Sequence, residues 1–157
     1  MYEKMEKYQV EIVPGVGYEV RGQWKDDIHD LKSRMVFDIN KFIIAEAEVE
    51  ASGVPFDICH QGLKSIDALV GASLGKGFSK LVSQHVMGKQ GCYHLGELVL
   101  NSFKAFLQAA CREAPDWRND EEYQQFWLQW INNYQDVCIF FAQPDISQED
   151  IQKAFGK

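Results

Sequence analysis

The chain has no C-x-x-C pair, no cluster of basic side chains and no long apolar stretch, and each absence removes a class of function. Without C-x-x-C, the four cysteines at positions 59, 92, 111 and 138 cannot form a closed zinc ribbon, although a site collected from distant segments stays open. A net charge of −7 leaves the chain short of the cationic side chains that neutralise phosphates, so nucleic acid is not an expected partner. The longest apolar run, residues 137–142, falls far short of the roughly 18 to 20 residues that span a bilayer, so a membrane is not expected either. Residues 1–7 mix both charges and lead into no apolar core, which does not read as a signal peptide. A reducing cytoplasm, with the cysteines as thiols, is the expectation.

What is present is an ordinary globular composition, 46% apolar and 25% charged over 157 residues. A chain of that size buries roughly 70% of the surface its unfolded form exposes, enough for a core without a staple. It reads as a single domain, 1–157, with a core over about residues 8–114 and a C-terminal extension over about residues 115–157.

The first third has the period of two that marks half-buried strands. Residues 8–13 precede a Pro14-Gly15 turn, after which Tyr18, Val20, Gly22 and Trp24 alternate with Glu19, Arg21, Gln23 and Lys25. Leu31, Ser33, Met35, Phe37 and Ile39 continue the alternation, and Ala45, Ala47, Val49 and Ala51 follow with glutamates between them. This predicts an antiparallel meander of three to four strands with one wet face. Beyond Ser52-Gly53-Val54-Pro55 the period lengthens to that of helices. A first helix is capped by Asp57 and carries Cys59, Leu63, Ile66 and Val70 on its inner stripe. A second spans about residues 77–87, with Phe78, Leu81, Val82 and His85 on one side, and a third begins at Cys92 and runs to about residue 114. An aromatic helix over about residues 119–134, a short strand at residues 137–141 and a terminal helix opened by Ser147 and Asp150 complete an α+β reading.

Chemistry concentrates in Gly91-Cys92-Tyr93-His94-Leu95-Gly96-Glu97, where a thiol, an imidazole and a carboxylate share the first turn of the longest helix. Cys59 holds the equivalent place in the first helix, and both thiols are also accounted for as small apolar filler. A helix N-terminus favours thiolate, the form a metal ligand or a nucleophile requires. On a regular helix His94 points about 200° away from Cys92, a constraint that loosens if Cys92 is the N-cap. His29 lies among Asp26, Asp27 and Asp30, where a carboxylate would fix its tautomer as it does behind a metal-bound histidine; a solvated acidic turn is the alternative. Glu97 complements the helix dipole, His60 faces solvent, and His85 and Cys111 read as core. Arg21 is a solvated strand arginine or an anion clamp.

Arg21-Gly22, Asp26-x-x-His29-Asp30-Leu31, Pro55-x-x-x-Cys59, Leu69-Val70-Gly71 and Gly91-Cys92-x-His94-Leu95-x-Glu97-Leu98 together resemble an uncharacterised bacterial family, a domain of unknown function, over about residues 15–112. The resemblance implies that Asp26, His29, Cys59, Cys92 and His94 form a common site. More distantly, the order of elements is similar to the NifU and IscU iron–sulfur scaffold proteins, with His29, Cys59 and the Cys92/His94 pair in the places of their ligands. The pattern departs from theirs in carrying Asp and His at the first position and Cys-x-His rather than His-Cys at the last. Those donors suit one zinc or iron ion better than an iron–sulfur cluster. Two other readings stand beside a metal site: a thiol-dependent enzyme with a cysteine nucleophile and a histidine base, and a module that binds a small ligand or a protein partner.

Overall fold

The structure is a computed structural model that describes residues 1–113, 115–118, 121, 125, 139–147, 149–150 and 153. The chain divides into two compact units, Met1–Ala110 and Cys111–Lys157.

The first unit opens with four strands, β1 (Met5–Val13), β2 (Gly17–Lys25), β3 (Asp30–Asp38) and β4 (Ile43–Gly53), paired in chain order as an antiparallel meander. The period-two pattern has its expected consequence: Tyr18, Val20, Trp24, Leu31, Met35, Phe37 and Ile44 are all within 2% of full burial. Register shifts at Asp30/Leu31 and Val36/Phe37 bend the ladder, and the second takes Ala45 out of the cross-strand pairing while Ile44 faces Phe37.

Three helices follow: α1 (Cys59–Leu63), α2 (Phe78–His85) and α3 (Tyr93–Arg112). The first expected helix is realised only in part. After Leu63 the backbone tightens into a 3₁₀ segment, Lys64–Leu69, and the buried line becomes Leu63, Ile66 and Leu69, a spacing of three that matches three residues per turn. Val70, expected on the inner stripe, is 53% exposed. In α2 the buried line is Phe78 and Val82, continued by Val86, and His85 is exposed rather than core because the four-residue step passes it by.

The long helix buries Leu95, Gly96, Leu98, Val99, Ser102 and Phe106, one stripe at steps of three and four. It lies on the sheet at Gly22, where an added Cβ would come within 2.9 Å of Leu98, Ser102 and Ser33 at once, so a larger residue would have to displace all three side chains. Phe106 stacks on Phe37 at 4.7 Å and packs against Tyr18 at 5.4 Å. At the first turn, Gly96 is pressed against the Met87 side chain. Asn101 donates to Glu6 Oε2 at 2.8 Å and ties the helix to β1, the same carboxylate accepting from Tyr8 Oη at 2.8 Å.

The opposite face of the sheet is wet and ionic. Glu19 accepts from Arg21 Nε and Arg34 Nε, both at 2.6 Å; burial alone would raise its carboxyl, yet the two guanidiniums hold it below the ordinary range. Arg21 is therefore paired within its own strand, and Arg34 also reaches Glu46 at 2.6 Å.

Of the second unit, the 3₁₀ turn Asp116–Arg118 and a reciprocal Ser147–Asp150 cap are described. Ile139, Phe140 and Phe141, expected as strand, form a turn in which Gln143 N–H donates to Phe140 at 3.2 Å. The expected aromatic helix falls outside the described residues save for Glu121 and Gln125, and Cys138 falls outside them as well.

Candidate functional site

The β2–β3 connection, Asp26-Asp27-Ile28-His29, folds as a turn closed by Asp26 N–H donating to the His29 carbonyl at 3.0 Å. An aspartate suits this position because its short carboxylate can reach the N–H groups two and three residues on. Asp26 Oδ1 accepts from Ile28 N–H at 3.0 Å and from His29 N–H at 2.7 Å. The same carboxylate lies 3.1 and 3.2 Å from His29 Nδ1, and since an ionised carboxylate only accepts, the ring proton belongs on Nδ1. Burial would raise the Asp26 carboxyl, but the two backbone N–H groups and the histidine ring outweigh it and bring it down to about 2. Both side chains are nearly enclosed, at 5% exposure for Asp26 and 10% for His29.

His94 reaches the same place from α3. Its ring centroid is 4.2 Å from that of His29 and 4.5 Å from that of Trp24, while Trp24 meets His29 edge-on at 5.5 Å. Burial, and then the neighbouring His29, push the His94 imidazole below its ordinary value, so it is neutral at pH 7. Among the described residues no hydrogen bond engages either nitrogen of His94 or Nε2 of His29. Tyr2 Oη donates to Asp26 Oδ2 at 3.2 Å, and Lys4 Nζ lies 5.5 Å over the Trp24 ring while pairing with Glu6 at 2.7 Å.

Cys92 is two residues from His94 in the chain, whereas Cys59 lies thirty residues beyond His29. Cys92 stands just before α3, and its carbonyl accepts from Gly96 N–H at 3.0 Å, which makes it the N-cap and frees its side chain from the helical angle that separates it from His94. Cys59 opens α1, whose five residues carry little of a helix macrodipole. The segments bearing the two cysteines touch: a Cβ on Gly62 would lie 2.7 Å from the Gly91 carbonyl and 3.6 Å from the Cys92 nitrogen. Both thiols are half-buried and free. Cys111, expected in the core, is half-buried, and burial pushes its thiol up to about 12. His60 is exposed, as expected of its position.

Of the five residues that the sequence grouped, Asp26, His29 and His94 are brought together, with Cys92 two residues from His94. Among the described residues no three His, Cys, Asp or Glu side chains meet in an arrangement that could hold a metal ion. Trp24, Tyr2 and Lys4 belong to the same neighbourhood and were not singled out. The available signal was proximity in sequence, since Trp24 is two residues before Asp26 on an inward-facing strand position. No described helix is long and apolar enough to cross a membrane.

No curated protein and no solved structure matches the chain, and nothing in these comparisons supports the NifU/IscU resemblance. The signature of a family described as a protein of unknown function, DUF2889, matches residues 14–108, a stretch that contains Asp26, His29, Cys59, Cys92 and His94. The match covers more than half of the chain, which therefore belongs to the DUF2889 family.

Proposed function

We propose that the Asp26–His29–His94 cluster is a proton-transfer centre in which His29 Nε2 is the base. The observation that supports this is the grip of Asp26 on His29: one carboxylate holds both the backbone N–H and Nδ1, which leaves Nε2 as a lone pair with no partner among the described residues. A general base needs that combination of a fixed tautomer and a free nitrogen. His94, neutral and alongside, is the second group that can take or return a proton. The thiol-enzyme alternative lacks a comparable contact, because no hydrogen bond joins either imidazole to a cysteine among the described residues.

The test is a screen for ester, thioester and amide hydrolysis and for α-proton exchange, run on the wild type and on His29→Gln. Loss of roughly 10²- to 10⁴-fold in the variant, the usual worth of a general base, supports the reading. An activity that survives His29→Gln overturns it.

A second reading keeps the same pair as ligands. Two adjacent imidazoles with a carboxylate behind one of them would supply part of a zinc or iron site, and Cys92, two residues before His94 and freed by its N-cap position, would be a further donor. An iron–sulfur cluster, usually held by four thiolates, is less well served by these donors. Stoichiometric zinc binding that is lost in both His29→Ala and His94→Ala would favour the metal site over proton transfer.

A further inference from the structure

We propose that the outer edge of β1 is where a second copy of this chain docks, the two strands pairing antiparallel about Gln9 to make one continuous sheet. β1 is an edge strand: among the described residues its backbone bonds go to β2 and, at Val13, to Val16 in the turn. The outward N–H and C=O groups of such a strand are a template for a further strand. Nothing within β1 blocks that use, since its nine residues keep one register against β2 without a bulge and include no proline. Its side chains toward the helices are incompletely covered. Tyr8, Val10 and Ile12 are half-buried, whereas Tyr18 and Val20, which face Ile12 and Val10 across the ladder, are at most 1% exposed. The other edge of the sheet is unsuited to self-pairing. The register of β4 against β3 shifts twice, and its start is engaged by residues 71–73, Ile44 N–H donating to Ala72 at 3.0 Å and Gly71 N–H to Ile44 at 2.8 Å. Glu46, Glu48 and Glu50 then occupy alternate positions, so two β4 strands would set glutamate against glutamate.

The order of charges along β1 selects a second copy as the occupant. Lys7, Gln9 and Glu11 are exposed at alternate positions on the wet face, and neither Lys7 nor Glu11 has an ion-pair or hydrogen-bond partner among the described residues. They cannot serve each other, because four residues of strand hold them roughly 13 Å apart. Nor does β2 serve them. Lys7 faces the neutral Gln23, and Glu11 faces Glu19, which Arg21 and Arg34 already hold. A two-fold axis at Gln9 sets Lys7 against Glu11 of the second copy, and Glu11 against the Lys7 of that copy. On the helix side the same axis sets Tyr8 against Val10. Registers that keep the faces matched move the axis to a neighbouring residue, and each loses the match. About Tyr8 or Val10 no opposite charges meet; about Lys7 or Glu11 like charges meet.

A strand-edge pair is smaller than the roughly 1,200–2,000 Å² of stable interfaces, so sedimentation equilibrium of the full chain over about 10–500 μM at low salt should show a reversible monomer–dimer equilibrium. Lys7→Glu, and separately Glu11→Lys, set like charges opposite each other at both contacts and should weaken the dimer about tenfold or more. Both positions are exposed, so the fold survives either change. Mixed in equal amounts, the two single variants should dimerise with each other as the wild type does with itself, because each supplies the charge the other lacks. The double variant Lys7→Glu/Glu11→Lys should self-associate again. A wild type that stays monomeric throughout the range, a dimer unchanged by either single substitution, or single variants that stay monomeric when mixed would overturn the proposal.

Discussion

Replacing Asp26 with asparagine isolates the charge of the residue that organises the site. Asparagine keeps an oxygen for the Ile28 and His29 N–H groups, so the turn survives, but its neutral oxygen accepts more weakly than a carboxylate. The folded carboxyl titrates at about 2 against an ordinary value of 3.8. That displacement is worth on the order of 2 kcal/mol, which water at the sheet end reduces to about 1–2 kcal/mol. The folded value is depressed, so the unfolded chain binds the proton more readily and stability rises with pH across the interval. The contribution is therefore complete above about pH 4 and is lost as pH falls through 3.8 toward 2. Urea unfolding of the wild type and Asp26→Asn between pH 2 and pH 7 should give curves about 1–2 kcal/mol apart at pH 6 that converge near pH 2. Parallel curves, or a gap that widens toward acid, would refute the assignment of Asp26 as a carboxylate stabilised by these donors.

Gly62→Ala places a methyl 2.7 Å from the Gly91 carbonyl, inside contact distance of backbone that cannot rotate away, and should cost about 1–3 kcal/mol with a drop of several degrees in Tm; an unchanged melt would count against that crossing. Ser102→Ala removes a fully buried hydroxyl with no partner among the described residues and should be neutral or slightly stabilising by chemical denaturation, whereas a loss above about 1 kcal/mol would reveal a bond, most simply through a bound water shared with Ser33. His94 should titrate below its ordinary value of 6.5 by ring-proton NMR. Because its charged form is disfavoured in the fold, it contributes stability above that value that is lost as pH falls, and His94→Gln should flatten this limb of the pH–stability curve.

The antiparallel meander, the turn at Pro14-Gly15 and the stripe of α3 were legible because alternation and three-four spacing are local consequences of backbone geometry. The reading failed where geometry changed without a change of composition. Leu63, Ile66 and Leu69 were open to either a helical or a 3₁₀ spacing, and the chain took the tighter one. His85 shared a plausible stripe with Phe78 and Val82, but the packing partner chose Val86 instead.

For the site, the residues of interest could be named in advance, since few side chains can do this chemistry and the acidic turn around His29 is written in consecutive positions. Which of them meet could not. The sequence by itself determined that β2 is followed by an aspartate able to cap its own turn and hold the next histidine, a contact that spans three residues and needs no other part of the fold. Only the tertiary structure decided that His94, sixty-five positions from His29, arrives within 4.2 Å of it. The cause is the seating of α3 on the sheet at Gly22, the fit of Gly96 against Met87 and the Gly62–Gly91 crossing, where missing side chains let the segments approach. Such contacts depend on two segments at once, and no periodicity within either one records them.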